Sequence, residues 1–300
     1  MQILITGGTG FIGKTLCRRL SRSGHQLTVL SRQPPERVRH LCGDSVTPLP
    51  SLNELSPQTG FDAVVNLAGE SIVAKRWTKA RKKLLWDSRV GLTSELIDVI
   101  ATAESKPGVM VSGSAVGYYG NRGDMVLDED SDFSDDFGHR LCAAWEEQAL
   151  RALDHGVRVC LLRTGLVIGK DGGFLRRMLP VFKLGLGGRI GDGRQWMSWI
   201  HLDDHVAMTE HLLDNSQLDG VFNATAPNPV TNREFTDCLA RLLNRPAFFP
   251  VPASALKLVL GETAELLLGG QRVMPARLQR TQFRFRYESL QEALREALNL

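Results

Sequence analysis

Hydrophobic positions change their spacing along the first thirty residues of the chain. The segment QILIT at 2–6 is a short apolar run rich in isoleucine, which is typical of a buried parallel strand. After a glycine-rich turn, Ile12, Leu16 and Leu20 recur four residues apart and predict a helix with one stripe against a sheet. The segment QLTVLS at 26–31 then predicts a second strand. Together these elements form one βαβ unit.

The same alternation continues through the next 140 residues or so. Apolar strands are predicted at 61–70, 108–120 and 157–169, with helical stretches near 78–100 and 138–155 between them. Such alternation predicts the α/β class with a doubly wound parallel sheet, whose ligands bind at the carboxyl ends of the strands. The stretch near 78–100 offers four core candidates: Leu84, Leu85, Ile97 and Ile100.

The last third of the chain has a different pattern. Helices are predicted near 231–243 and 253–268, with a proline-marked segment between them. This region is expected to form a smaller lobe that closes over the sheet. The segment GRIGDGRQWMSWIH at 188–201 is rich in glycine and aromatic residues, and we interpret it as a pocket wall rather than a purely structural loop.

Composition narrows the function classes. The chain has 300 residues and a formal charge of +3, so neither nucleic acid nor a membrane surface is indicated. The cysteines are odd in number, scattered and without a CxxC pair, which argues against a disulfide framework and a zinc site: Cys17, Cys42, Cys142, Cys160 and Cys238. No export signal or membrane-spanning run is recognised, so a cytoplasmic location is expected.

The stretch ITGGTGFIG at 5–13 carries the strongest chemical signal. Its glycines fit both GxGxxG (Gly8, Gly10, Gly13) and the variant GxxGxxG (Gly7, Gly10, Gly13). Between a strand and a helix, such glycines shape the turn and let a pyrophosphate approach the helix N-terminus. A turn without a ligand is the alternative. Because of the context, we predict a dinucleotide site.

The end of the second strand indicates which dinucleotide binds. Sites for NAD usually place an acid about twenty residues after the glycines, where it accepts from the ribose 2′-hydroxyl. Here Ser31 and Arg32 stand at that tip, and the next acid is Glu36. A hydroxyl and a guanidinium suit a 2′-phosphate, so NADP(H) is favoured over a solvated loop arginine.

Five segments occur in the order typical of one large family: ITGGTGFIG, NLAGE, SGSAVGYYG, LLRTGLVIG and WIHLDDHV. The chain resembles the extended short-chain dehydrogenases/reductases, the group that contains nucleotide-sugar epimerases. Its C-terminal PVPASALKLVLGETAELLLGGQRVMPARL is similar to the tail of an atypical branch called "epimerase family protein". The resemblance implies a Rossmann domain over 1–165, to which 200–225 return, and a small C-terminal α/β substrate lobe over 166–300.

The resemblance also implies a set of site residues. For the cofactor NADP these come from five segments: Gly7, Gly10, Phe11, Ile12, Gly13, Ser31, Arg32, Leu67, Ala68, Arg89 and Arg163. A surface salt bridge is the alternative role for each of the two later arginines. A small-molecule substrate is expected, no metal, nucleic acid or membrane partner is expected, and relatives of this kind commonly form homodimers.

The catalytic residues depart from the family pattern. Extended members use a Ser or Thr together with Tyr and Lys in YxxxK. Ser114 matches the serine, but DFGHRLCAAWEEQAL at 136–150 contains neither tyrosine nor lysine. Phe137 or His139 stands nearest the place of the tyrosine. We predict Ser114 and Tyr118 as the catalytic residues, with Tyr119 as the alternative to Tyr118 and packing as the other role of both tyrosines.

Three further side chains have two interpretations each. His139 is an acid/base candidate, although a histidine on the helix surface is favoured. His201 is either near the substrate or a helix-start residue, and Glu70 either faces the pocket or caps the next segment. The basic segment at 75–89 is expected to be a solvated helix face with its tryptophans packed inward, rather than an RNA site.

Two functions remain at this point. One is an oxidoreductase or epimerase that acts on a carbonyl or nucleotide-sugar-like compound. The other is a non-catalytic protein that senses or binds NADP(H), because the YxxxK residues are absent.

Overall fold

A parallel sheet forms the centre of the computed structural model, which describes residues 1–170 and 172–300. The strands of this part are, in chain order, β1 (Gln2–Thr6), β2 (Gln26–Leu30), β3 (Thr47–Leu49), β4 (Ala63–Asn66), β5 (Val109–Ala115), β6 (Val126–Leu127), β7 (Arg158–Thr164), β8 (Leu166–Ile168), β9 (Trp196–Met197), β10 (Trp199–His201), β11 (Gly220–Ala224), β12 (Val230–Thr231) and β13 (Arg272–Val273). Seven strands form the main sheet in the order β3-β2-β1-β4-β5-β7-β11, and all neighbours are parallel.

Helices cover both faces of this sheet. They are α1 (Phe11–Arg22), α2 (Pro35–Cys42), α3 (Lys79–Trp86), α4 (Leu92–Thr102), α5 (Phe137–Leu150), α6 (Leu175–Lys183), α7 (Leu202–Asp214), α8 (Asn232–Leu243), α9 (Ala253–Leu260), α10 (Glu265–Leu268), α11 (Ala276–Gln279) and α12 (Leu290–Leu298). Successive strand residues point to opposite faces. Ile3 and Ile5 therefore share a core with α1 and α7, whereas Leu4 packs with α4 and α5. The predicted doubly wound α/β class is confirmed.

The C-terminal part adds a second apolar core. Trp199 and Phe235 are fully buried there, among residues of α6, α8 and α12. Two short strand pairs frame this core, β8 with β10 and β9 with β12, whereas the pair of β6 with β13 packs with Tyr119. The strand β11 returns to the main sheet beside β7.

The strand predicted at 157–169 is interrupted at Gly165. A Cβ at Gly165 would lie 2.3 Å from the carbonyl oxygen of Ser198, so only glycine allows this close approach. The chain leaves the main sheet there and continues as β8 against β10. The break directs the chain from the sheet into the C-terminal part.

The helix predicted near 78–100 is also divided. A turn of π-helix at 87–91 separates α3 from α4. Leu85, Ile97 and Ile100 are buried as predicted, but Leu84 is 43% exposed. Adjacent helix positions point about 100° apart, so Leu84 and Leu85 cannot face the same core. The inward packing predicted for the tryptophans is wrong for Trp86, which is 38% exposed.

Candidate functional site

The glycine turn between β1 and α1 has no room for side chains. Gly7 has φ +71°, and its carbonyl oxygen accepts from the Gly10 N–H at 3.0 Å. A Cβ at Gly13 would lie 2.2 Å from that oxygen. The cap residue of α1 is Gly10, with no side-chain cap and no acid in the first turn. The first N–H groups of α1, from Phe11 to Gly13, are therefore available to an anion.

A cleft of about 560 Å³ opens beside this turn; we call it the first cleft. The ends of β2 and β4 complete it, and its wall includes predicted residues from both: Ser31, Arg32, Leu67 and Ala68. The Arg32 side chain is 89% exposed and lies 3.6 Å from a carboxylate oxygen of Glu70. An exposed pair of this kind contributes little stability, so the guanidinium is free to turn toward a ligand.

Glu70 neither caps a helix nor stands alone in the cleft wall. Its carboxylate also pairs with the buried Arg81 at 3.3 Å, and its backbone oxygen accepts from Arg89 at 2.9 Å. The Arg89 guanidinium packs 5.3 Å from the Trp145 ring, and burial lowers the pKa of Arg89. Arg89 thus holds the loop that follows β4 from behind.

A buried network lies at the ends of β5 and β7. Ser114 and Arg163 face each other across the two strands. Both bind Glu146 of α5: the serine hydroxyl donates to Oε1 at 2.5 Å, and the guanidinium donates to both carboxylate oxygens at 2.8 and 2.9 Å. Burial lowers the pKa of Arg163, but hydrogen bonds and the charge of Glu146 outweigh it and raise that pKa above the ordinary value. Arg163 is therefore a charged member of the interior.

Tyr119 belongs to the same network. Its hydroxyl accepts from Arg163 at 3.1 Å and donates to Asn223 Oδ1 at 2.7 Å. Burial raises the pKa of Tyr119 to about 12, so the phenol stays protonated. Of the two tyrosines, Tyr119 therefore takes the packing role.

Tyr118 lies in an aromatic cluster next to this network. The Arg163 guanidinium lies 3.3 Å from the centre of its ring, and the rings of Phe133 and His139 lie at 6.0 and 4.9 Å. His139 is buried and bonds the Tyr118 carbonyl through Nδ1 at 2.6 Å. The favoured surface position for His139 is wrong, because Phe133 stacks on its ring at 3.7 Å.

The resemblance expects a tyrosine near Phe137 or His139 and a lysine near Leu141, Cys142 or Ala143, and neither residue type is present there. Phe137 begins α5 and contacts the ring of Trp77 at 4.9 Å. One turn later Cys142 is buried, and burial raises the pKa of its thiol to about 12. A protonated thiol cannot replace an ammonium group. The local charge near Ser114 is supplied by Arg163 and Glu146 instead.

A second cleft of about 660 Å³ lies beyond β5; we call it the second cleft. Gly117 and Phe137 line it from the sheet side, while 190–195 and 265–271 line it from the C-terminal part. The segment predicted as a pocket wall thus contributes to the cleft. His201 does not line the second cleft. Its side chain caps α7 by accepting from the Asp203 N–H.

The sequence interpretation missed Glu146. Its position four residues after Cys142 on α5 places it on the buried face, next to Trp145 and Ala149. An acid on that face needs a cation opposite, and Arg163 lies inside the apolar stretch predicted as a strand at 157–169. The signal existed in this pairing. The catalytic and cofactor roles of the predicted residues stay predictions.

Two other features, a metal site and a membrane-spanning helix, would indicate different classes of function. Within residues 1–170 and 172–300, no group of three or more His, Cys, Asp or Glu side chains could hold a metal ion. In the same part of the chain, no helix has the length and apolar character needed to cross a bilayer.

Known families and structures match the chain along its length. The family described as "NAD dependent epimerase/dehydratase family" matches residues 3–224. A second family, described as a domain of unknown function (DUF1731), matches residues 251–297. The chloroplastic epimerase family protein SDR39U1 homologue of Arabidopsis thaliana is 42% identical over 300 residues, with 98% of this chain and 86% of that protein covered. Human epimerase family protein SDR39U1 is 38% identical over 303 residues, with 99% of each chain covered.

Solved structures agree with these matches. The crystal structure of human SDR39U1 isoform 2 with NADPH has a TM-score of 0.91 and 37% identity, with 100% of both chains covered. MoeE5 in complex with UDP-glucuronic acid and NAD shares the fold, with a TM-score of 0.79 at 23% identity over 100% of this chain and 98% of that one. The chain therefore belongs to the NAD dependent epimerase/dehydratase family and, within it, to the epimerase family proteins.

Proposed function

We propose that this protein binds NADPH in the first cleft and acts as an oxidoreductase or epimerase on a small carbonyl or carbinol compound in the second. The glycine turn carries the proposal, because a Cβ at Gly13 would overlap the backbone of the turn itself. The first N–H groups of α1 have no side-chain cap, and Gly10, the cap residue, lines the cleft. Human SDR39U1, which is similar over its whole length, was solved with NADPH.

The residues of the first cleft fit this cofactor. Gly7, Gly10 and Gly13 would hold the pyrophosphate, with Phe11 and Ile12 at the start of the helix. Ser31 and Arg32 would hold the adenosine phosphate, and the chain after β2 has no acid before Glu36. Leu67 and Ala68 would line the path of the adenosine. Arg89 and Arg163 would support the cleft wall from behind. Arg89 would do so through the backbone of Glu70, and Arg163 through Glu146 and Tyr119.

The bound nicotinamide would supply or accept a hydride. Ser114 would orient the reacting oxygen; since its hydrogen is donated to Glu146, its lone pairs are the part left for a substrate hydroxyl. Tyr118 would transfer the proton. The guanidinium of Arg163 against its ring would stabilise negative charge on the phenol oxygen. Unaltered turnover by Ser114→Ala on a true substrate would contradict the serine's role.

One observation favours a second candidate, an NADPH-dependent sensor without catalysis. The Ser114 hydroxyl donates to Glu146, and the Tyr118 ring is packed among Phe133, His139 and Arg163. Both groups would have to leave these partners to handle a substrate proton. The sensor predicts tight NADPH binding with no turnover on a panel of carbonyl compounds.

Nucleic acid is not an expected partner. In the basic segment at 75–89, Arg81, Lys82 and Lys83 each pair with a carboxylate. Binding to RNA that falls steeply as salt rises would contradict this expectation.

Calorimetric titration with NADPH and NADH tests the cofactor assignment. We expect NADPH to bind about 10- to 100-fold more tightly, since hydrogen bonds to a charged group contribute about 1.5–3 kcal/mol. Arg32→Ala should abolish this preference and leave the affinity for NADH unchanged. Arg22→Ala, an exposed arginine at the far end of α1, is the matched control and should keep the preference. A preference that survives in Arg32→Ala would refute the role of that residue.

A further inference from the structure

The second cleft has an excess of negative charge. Its described lining includes three carboxylates, Asp136, Asp192 and Glu265, and one ammonium group, Lys257. These residues come from three separate parts of the chain, so they meet only in the folded protein. Carboxylates thus outnumber ammonium groups in this lining, which favours a cationic ligand over an anionic one.

The basic residues near the cleft are only loosely paired with its carboxylates: Arg233 donates to the backbone oxygen of Asp192 at 3.2 Å, not to its carboxylate. Arg194 reaches Asp192 only at 4.0 Å, from a side chain that is 85% exposed. Lys82 lies at 2.6 Å from Glu262 and is thus already paired. Within the described residues, Glu265 forms no ion pair. A diphosphate, which needs several convergent cations, would find repulsion here instead.

The apolar part of the same cleft is aromatic. Trp77 and Phe137 meet edge to face at 4.9 Å and both line the cleft. The indole is fixed, because Nε1 donates to the Ile72 carbonyl at 2.9 Å and the Trp77 N–H donates to Thr263 at 3.0 Å. Its polar group is therefore already bonded. Lys82 Nζ already lies 4.6 Å from the centre of the Phe137 ring, so the indole of Trp77 is the rigid surface that remains for flat groups and cations.

We propose that the second cleft takes a flat carbonyl compound with a positive charge and no diphosphate, which would set this protein apart from enzymes that act on nucleotide sugars. Asp192 and Glu265 bind the cationic group, and the Trp77 indole packs against the flat part. This inference rests on the proposed function, which assigns the substrate to this cleft. It adds the charge and shape of that substrate.

Two aldehydes of similar size and opposite charge provide the test. The probes are 4-(trimethylammonio)benzaldehyde and 4-formylbenzenesulfonate, and their binding to the NADP⁺-saturated protein is measured by calorimetry. We expect the ammonium probe to bind about tenfold more tightly, because the exposed carboxylates of Asp192 and Glu265 each contribute modestly and act together. UDP-glucose at millimolar concentration should not bind. Equal affinities, tighter binding of the sulfonate, binding of UDP-glucose, or no binding of either aldehyde would each overturn the inference.

Two variants locate the preference. Glu265→Gln and Asp192→Asn should each reduce the ratio of the two affinities about threefold, and added salt should reduce it further. Glu292→Gln, an exposed acid on α12 outside the cleft lining, should leave the ratio unchanged. An unchanged ratio in both cleft variants contradicts the inference.

A titration of the same sample with NADPH distinguishes a wrong substrate class from a wrong proposed function. If NADPH binds and the aldehydes show no charge preference, only the substrate class is wrong. If NADPH does not bind, the proposed function is wrong.

Discussion

The first cleft is built mainly from backbone, and the second mainly from side chains. In the first, the residues from Gly7 to Gly13 form a turn of seven successive residues, and strand ends supply the rest. In the second, Asp136, Asp192 and Glu265 come from segments far apart in the chain. A backbone site binds what all members of a family share, whereas side chains can change without changing the fold. The comparison favours the proposal that the common cofactor binds in the first cleft and that the individual specificity lies in the second.

The largest effect is expected in the buried network of Glu146 and Arg163. Glu146→Ala leaves the Arg163 guanidinium buried without its partner, and the free energy of unfolding should fall by about 3–5 kcal/mol. Urea unfolding measures this loss. Asp87→Ala removes an acid from the exposed pair with Lys83, and should cost about 0.5 kcal/mol or less. Equal losses in the two variants would mean that the buried network of Glu146 and Arg163 stabilises the fold no more than an exposed ion pair does.

The pH dependence of the free energy of unfolding tests the burial of His205 against the main sheet. His205 is fully buried; its Nε2 lies 3.0 Å from Thr164 Oγ1, and burial lowers its pKa to about 4. Between about pH 6.5, the ordinary pKa of a histidine, and about pH 4, this imidazole is protonated in the unfolded chain but not in the folded one. The stability therefore falls as the pH falls through this window. From pH 7 to pH 5 the loss from His205 should be about 2 kcal/mol. His205→Gln should flatten this part of the pH profile; an unchanged slope would contradict the burial of a neutral imidazole.

The glycine turn should be the next most sensitive position. Gly13→Ala places a Cβ 2.2 Å from the Gly7 carbonyl oxygen, and the resulting shift should cost about 1–3 kcal/mol and abolish NADPH binding. Gly91→Ala is the matched control, because nothing lies within 4 Å of a Cβ there. Thermal unfolding and calorimetry measure both effects. Normal NADPH affinity in Gly13→Ala would remove the reason given for the glycine.

The smallest effect concerns the aromatic wall. Trp77→Leu should keep the affinity for NADPH within about twofold, because the indole lines only the second cleft, and should weaken the ammonium aldehyde about fivefold. Together with Gly13→Ala, this variant separates the two clefts by ligand. A loss of NADPH affinity in Trp77→Leu would show that they are not independent.

The same contrast explains how much the sequence could predict. The βαβ unit, its glycine turn and the cation at Arg32 depend on neighbours in the chain, so spacing alone predicts them. The α/β class follows from the alternation of strands and helices. Such features are local or periodic, and the structure has them where the sequence indicated.

The remaining features depend on contacts between distant residues. His139 has the sequence context of a surface helix, yet Phe133 covers its ring. Ser114 matches a family serine, but its partner Glu146 lies 32 residues away and gave no local pattern. Leu84 was expected in the core beside Leu85, and only the packing of α3 decides between them. Burial and pairing of this kind require the fold.

A crystal structure of the protein with NADPH tests the central claim most directly. The account predicts the nucleotide in the first cleft, with its pyrophosphate held by the turn from Gly7 to Gly13 and its adenosine phosphate held by Ser31 and Arg32. The second cleft should remain open to a substrate. Nucleotide in the second cleft, or none in the first at saturating NADPH, would contradict the account.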